Sequence, residues 1–124
     1  MTRTETELPG VFLVQPRVLH DARGAFLKTY HAGIFSDLGF PFVPVEEFIS
    51  ISHRNVIRGM HCSHGFLALT DDATMVYQTN TVHAPASDAG VRWNSFGFDW
   101  SVPAPRLSER DRALPSLAEF TSPF

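Results

Sequence analysis

Charge of one sign is nearly lacking: ten basic and thirteen acidic side chains leave a formal charge of −3 over 124 residues, with the two signs mixed along the chain. There is no basic stripe to follow a phosphate backbone and no cationic amphipathic helix for a membrane surface, so no nucleic-acid or membrane partner is expected. Long apolar runs are lacking too. Nothing approaches the ~20 residues of a membrane-spanning helix, and Met1 to Leu8 is polar, so neither export nor insertion is expected and the cytoplasm is the default. Cysteine is reduced to Cys62 alone, which excludes an internal disulfide. A single thiol inside an apolar run reads as a small buried hydrophobe, and no chemistry is assigned to it. Internal repeats, low-complexity tracts and long linkers are likewise missing, and one domain over 1–124 is expected.

What remains is the composition of a folded domain, 44% apolar and 19% charged, with material for one modest core. Nine prolines and eight glycines punctuate apolar segments of strand length, the texture of an all-β sandwich or barrel. Val11 to Leu19 and Ala25 to Tyr30 read as a hairpin whose turn, His20 to Gly24, ends on a glycine able to take a positive φ. Phe42 to Ser52 follows, its second half closer to period two than to helical spacing. Val56 to Cys62, Gly65 to Leu69, Thr74 to Thr79 and Val91 to Trp93 extend the series, with Thr70 to Ala73 as a turn. Only two short helices are expected, Ala32 to Leu38 and one near Ser116 to Phe120, where Ser116 and Glu119 have capping-box spacing.

Several ordered motifs carry a family resemblance across nearly the whole chain. Leu8 to Tyr30 is similar to an opening hairpin that ends in Asp-x-Arg-Gly, here Asp21-Ala22-Arg23-Gly24. Ser50 to His61 resembles a Ser-x-Ser-x-x-x-Val-Leu-Arg-Gly-Leu-His strand that delivers a catalytic histidine. Ser63 to Phe66 resembles an Ala-His-Gly-Phe segment, with Tyr77 thirteen residues beyond His64. Pro85, Gly90 to Asn94, Asp99-Trp100 and Leu107 to Asp111 follow in order. Together these resemble the dTDP-4-dehydrorhamnose 3,5-epimerase family of nucleotide-sugar enzymes. In that family a long central stretch, holding an active-site lysine and an aspartate beside the catalytic histidine, separates the Arg-Gly-Leu-His and Ala-His-Gly-Phe strands. Here only Cys62 and Ser63 lie between His61 and His64.

The resemblance implies a shortened cupin-type jelly roll, closed by strands of a partner chain in a homodimer, that binds a small-molecule nucleotide sugar without metal or cofactor. It implies His61 as the base beside the ketone, Asp111 as its orienting carboxylate and Tyr77 as the acid on the opposite face. Arg23 and Arg58, with Arg110 in place of a family lysine, fall where a diphosphate would be held; guanidinium presents a planar fork to phosphate oxygens. His64 and Asp88 are further substrate-binding candidates. Lys28 stands where the family has a substrate-binding glutamate, Glu46 and Phe48 where it has a glutamine and an asparagine, and His83 where an aromatic stacks on thymine. The chemistry suits these residue types, because an imidazole titrates near neutral pH and a carboxylate on its other nitrogen fixes the tautomer. Three other readings stay open. One is a metal-binding cupin using His61 and His64 with Glu46, Glu47 or His83, although positions three apart on one strand face opposite ways and could share an ion only across a bend. The others are a non-catalytic sugar-nucleotide or partner binder, and an enzyme repurposed for another carbonyl substrate.

Overall fold

The computed structural model describes residues 1–61 and 64–122. Cys62 and the start of the Ser63 to Phe66 motif therefore lie outside the described residues. The chain divides into two compact units, Met1–Pro44 and Val45–Phe124. The first holds β1 (Thr2–Glu5), β2 (Phe12–Gln15), β3 (Val18–Asp21), β4 (Gly24–Leu27) and α1 (Ala32–Asp37). The second holds β5 (Glu46–Ser52), β6 (Ile57–His61), β7 (His64–Leu67), β8 (Ala73–Thr79) and α2 (Glu109–Ala113). Strands dominate, as the punctuated apolar segments imply. They pair antiparallel as β1 with β2, β3 with β4, β5 with β8, and β6 with β7.

In the first unit the expected strand Val11 to Leu19 is broken at Pro16, which has no N–H to give a ladder. The half before it pairs with β1, a strand the polar N-terminus did not announce; the half after it pairs with β4. The closing pair is Asp21 with Gly24, so the turn is shorter than expected, and Gly24 takes a φ of +125°. Helix α1 lies where expected and packs an aromatic cluster. Phe35 sits 4.7 Å from Phe40 and 5.0 Å from Tyr30 between ring centres, and Phe12 is 4.6 Å from Phe40. Arg3 lies 4.1 Å over the Phe12 ring and donates to the Leu38 carbonyl at 2.6 Å, satisfying a C-terminal carbonyl of α1.

In the second unit, Phe42 to Val45 stays irregular and the strand begins at Glu46. Val91 exchanges two backbone hydrogen bonds with Met60, at 2.9 and 3.3 Å, without extending into the expected strand. Ser116 to Phe120 is a single turn: the Ser116 N–H donates to the Glu119 carboxylate at 3.0 Å and the Glu119 N–H to the Ser116 carbonyl at 3.1 Å, but no helix follows. The helix forms one segment earlier, where Ser108 accepts the Asp111 N–H at 3.0 Å and Glu109 and Asp111 occupy the favourable first turn. It ends at Leu114, extended before Pro115.

Burial is slight. Among the described residues Ile57 and Ala68, at 1% and 2% exposure, are the buried apolar side chains, both beside the β6–β7 ladder. By contrast Ile49, Ile51 and Val76 on one face of the β5–β8 ladder are 60%, 63% and 45% exposed, an apolar face of the kind that monomers rarely leave to solvent.

Candidate active site

The second unit builds a cavity of about 760 Å³, lined from β5, β6, β7, β8, the 81–88 loop and α2. Strand β6 brings His61 to it. Gly59, at φ +100°, lies within a ladder irregularity between Arg58 and His61; a Cβ there would stand 2.9 Å from the His64 carbonyl oxygen. Gly90 is needed for the same reason, since its Cβ would fall 2.2 Å from the Met60 carbonyl oxygen. Two bare backbones thus press on the strand that carries His61 and fix where its imidazole leaves the chain.

Behind His61 stands Asp111, only 4% exposed. One carboxylate oxygen lies 2.7 Å from His61 Nε2, and the other accepts the Gly59 N–H at 3.4 Å. A buried carboxylate needs such partners. The pairing makes Nε2 the protonated nitrogen and leaves Nδ1 to accept a proton. On β8, Tyr77 stacks on Phe48 of β5, ring centres 4.7 Å apart at 13°, and its ring lies 5.6 Å from that of His64. The flanking positions are charged. Arg58 donates through Nε to Ser52 at 3.0 Å, and Ser52 is 2% exposed. Arg110 pairs with Asp88, which also lies 4.0 Å from His83 Nε2; the His83 N–H donates to Glu46 at 2.8 Å.

Of the sequence-derived candidates, His61, Tyr77, Arg58, His64, Glu46, His83, Asp88 and Arg110 line this cavity, and Asp111 backs it through His61. Arg23 and Lys28 belong to the first unit, whereas every lining residue comes from the second. Arg23 is fully paired with Asp21 at the β3–β4 turn, at 2.6 Å, and that guanidinium holds the Asp21 carboxyl below its ordinary range. His61 and His64 fall on two strands, as the separate segments Val56 to Cys62 and Gly65 to Leu69 imply, and are cross-strand partners of the β6–β7 ladder, lining the same cavity. No group of three or more metal-ligating side chains occurs among the described residues. Sequence reasoning missed Ser52 as the holder of Arg58 and Phe48 as the plate under Tyr77. Their alternation on β5 was the available signal. Among the described residues no helix is long and apolar enough to cross a membrane.

Comparison with known proteins bears on the family and the fold. The family model for dTDP-4-dehydrorhamnose 3,5-epimerase matches residues 5–64 and 62–119, two pieces that meet at the His61 to His64 connection. The dTDP-4-dehydrorhamnose 3,5-epimerase of Methanothermobacter thermautotrophicus is 24% identical, with 93% of this chain and 94% of that protein covered. The alignment runs over 173 positions, against 124 residues here, so at least 49 positions have no residue from this chain. Among solved structures, a dTDP-4-dehydrorhamnose 3,5-epimerase from Bacillus anthracis, with TDP and PPi bound, superposes at a TM-score of 0.85 with 22% identity, covering 94% of this chain and 99% of that one. A dTDP-6-deoxy-D-glucose-3,5-epimerase from Legionella pneumophila, in complex with dTDP-4-keto-L-rhamnose, superposes at 0.87 with 18% identity, covering 97% and 94%. These likenesses carry the fold, a cupin-type jelly roll as expected.

Proposed function

We propose a function from one established premise: the chain belongs to the dTDP-4-dehydrorhamnose 3,5-epimerase family. It is an isomerase that removes and returns a proton next to the C4 ketone of a 4-keto-6-deoxy nucleotide sugar. The observation that carries this is the His61–Asp111 pair, 2.7 Å apart with its carboxylate buried, on the wall of a cavity that also holds Tyr77. His61 Nδ1 takes the α-proton, and Asp111 stabilises the imidazolium that forms. The electron pair moves onto the ketone oxygen as an enolate. Tyr77 then delivers a proton to carbon from the other face, the enolate collapses to the ketone, and the stereocentre is inverted. Every step moves a proton between carbon and a side chain, so the chemistry calls for no redox cofactor.

Arg58 and Arg110 hold the diphosphate, with Arg110 exchanging Asp88 for phosphate oxygens. Glu46, His83 and Asp88 contact the rest of the nucleotide sugar. The enzyme works in the cytoplasm as a homodimer, in which a second copy covers apolar faces such as Ile49, Ile51 and Val76. Incubation with dTDP-4-keto-6-deoxyglucose, followed by proton NMR, tests the reading: a C3 or C5 epimer is expected. Recovery of every 4-keto nucleotide sugar offered, unchanged, would favour a binder that lost catalysis with the missing alignment positions.

A further inference from the structure

An enolate cannot form at a useful rate without a donor for its oxygen, and the charged groups of this cavity are largely committed elsewhere. The chain has one lysine, Lys28, and it belongs to the first unit. Arg110 is tied to Asp88, and Arg58 is anchored through Nε to Ser52. His61 and His64, by contrast, are Cα partners in the antiparallel β6–β7 ladder, and both line the cavity.

Directly opposed residues of an antiparallel pair share a face, with Cβ atoms about 5 Å apart. The reacting carbon and the ketone oxygen are about 2.4 Å apart, two bonds away from each other. A base and a donor that each stand about 3 Å from their target therefore fit two imidazoles rooted side by side on one sheet face.

We propose that His64 is a catalytic residue, the hydrogen-bond donor to the ketone oxygen as it becomes an enolate, acting beside His61. The proton that His61 takes comes from carbon, and His64 keeps its own proton throughout. It lends an N–H to the oxygen while charge is there and withdraws nothing when Tyr77 returns a proton to carbon. This role rests on the epimerase reading, and it differs from substrate binding in that its contribution grows only as the oxygen becomes anionic.

The test combines deuterium uptake into dTDP-4-keto-6-deoxyglucose in deuterated water with the affinity for dTDP, for the full chain and for His64→Ala and His64→Gln. Loss of one oxyanion donor lowers turnover by about 10²–10³-fold, so His64→Ala should lose exchange to that extent with KM and dTDP affinity held. His64→Gln, which restores an N–H donor, should recover part of the loss. Exchange by His64→Ala within about threefold of the unaltered chain, or a loss confined to KM and dTDP affinity, overturns the proposal. Absence of exchange in the unaltered chain overturns the epimerase reading itself. His64 is exposed, and a melting curve for each variant separates misfolding from lost chemistry.

Discussion

Asp111→Asn removes one charge and almost no volume, so its consequence can be worked from two distances. The carboxylate accepts on both oxygens: one faces His61 Nε2 at 2.7 Å, the other the Gly59 N–H at 3.4 Å. An amide has only one oxygen. If that oxygen stays on His61, the NH2 group meets the Gly59 N–H, donor against donor in a buried site, at a cost of about 1–3 kcal/mol. If the amide turns, its oxygen keeps Gly59 and its NH2 donates to His61 Nε2. The imidazole then carries its proton on Nδ1 and has no lone pair where the α-proton must go. The first arrangement strips the imidazolium of its countercharge at a cost in stability, and the second disables the base outright; a general base contributes about 10²–10⁴-fold, so kcat for epimerisation should fall toward the upper end of that range. Exposure near 4% leaves little water to repair the mismatch. The assay is stopped-time NMR of epimer formation, with a melting curve to exclude unfolding. Turnover within about tenfold of the unaltered chain would refute the dyad, because a correctly poised His61 would then not need Asp111.

Tyr77→Phe keeps the stack on Phe48 but removes the acid; deuterium uptake should survive while net inversion, read by NMR, is lost. Gly90→Ala forces a Cβ to 2.2 Å from the Met60 carbonyl oxygen, and an overpacking cost of about 1–3 kcal/mol should lower the melting temperature by several degrees. Sedimentation should show a dimer at micromolar concentration; a stable, cooperatively folding monomer would contradict the covering of the Ile49, Ile51 and Val76 face.

What the chain disclosed in advance depended on how local each feature was. Helix α1, the Gly24 turn and β8 follow from glycine placement, alternation and local propensity, all of which act within a few positions. The Pro16 break was local too, yet the apolar run on either side hid it. Helix α2 hid inside the charged run Ser108 to Arg112, which reads as a solvated face until tertiary contact buries Asp111. Ser116 and Glu119 formed their capping bonds without a helix, since one turn of capping cannot offset the cost of nucleation. The His61–Asp111 pair spans fifty residues and was legible only through the ordered motifs. The facing of His61 and His64 was legible only as a break between the segments Val56 to Cys62 and Gly65 to Leu69, because alternation within each segment does not set the register between them.

The central claim is proton abstraction by His61 from carbon beside a ketone. Its most direct measurement is the mass of dTDP-4-keto-6-deoxyglucose recovered from deuterated water after incubation with the chain and with His61→Ala. Deuterium should appear at C3 or C5 with the unaltered chain, even before epimer accumulates, and uptake should fall by about 10²–10⁴-fold in the variant. Absence of deuterium from every 4-keto nucleotide sugar tried, or equal uptake by His61→Ala, would contradict it.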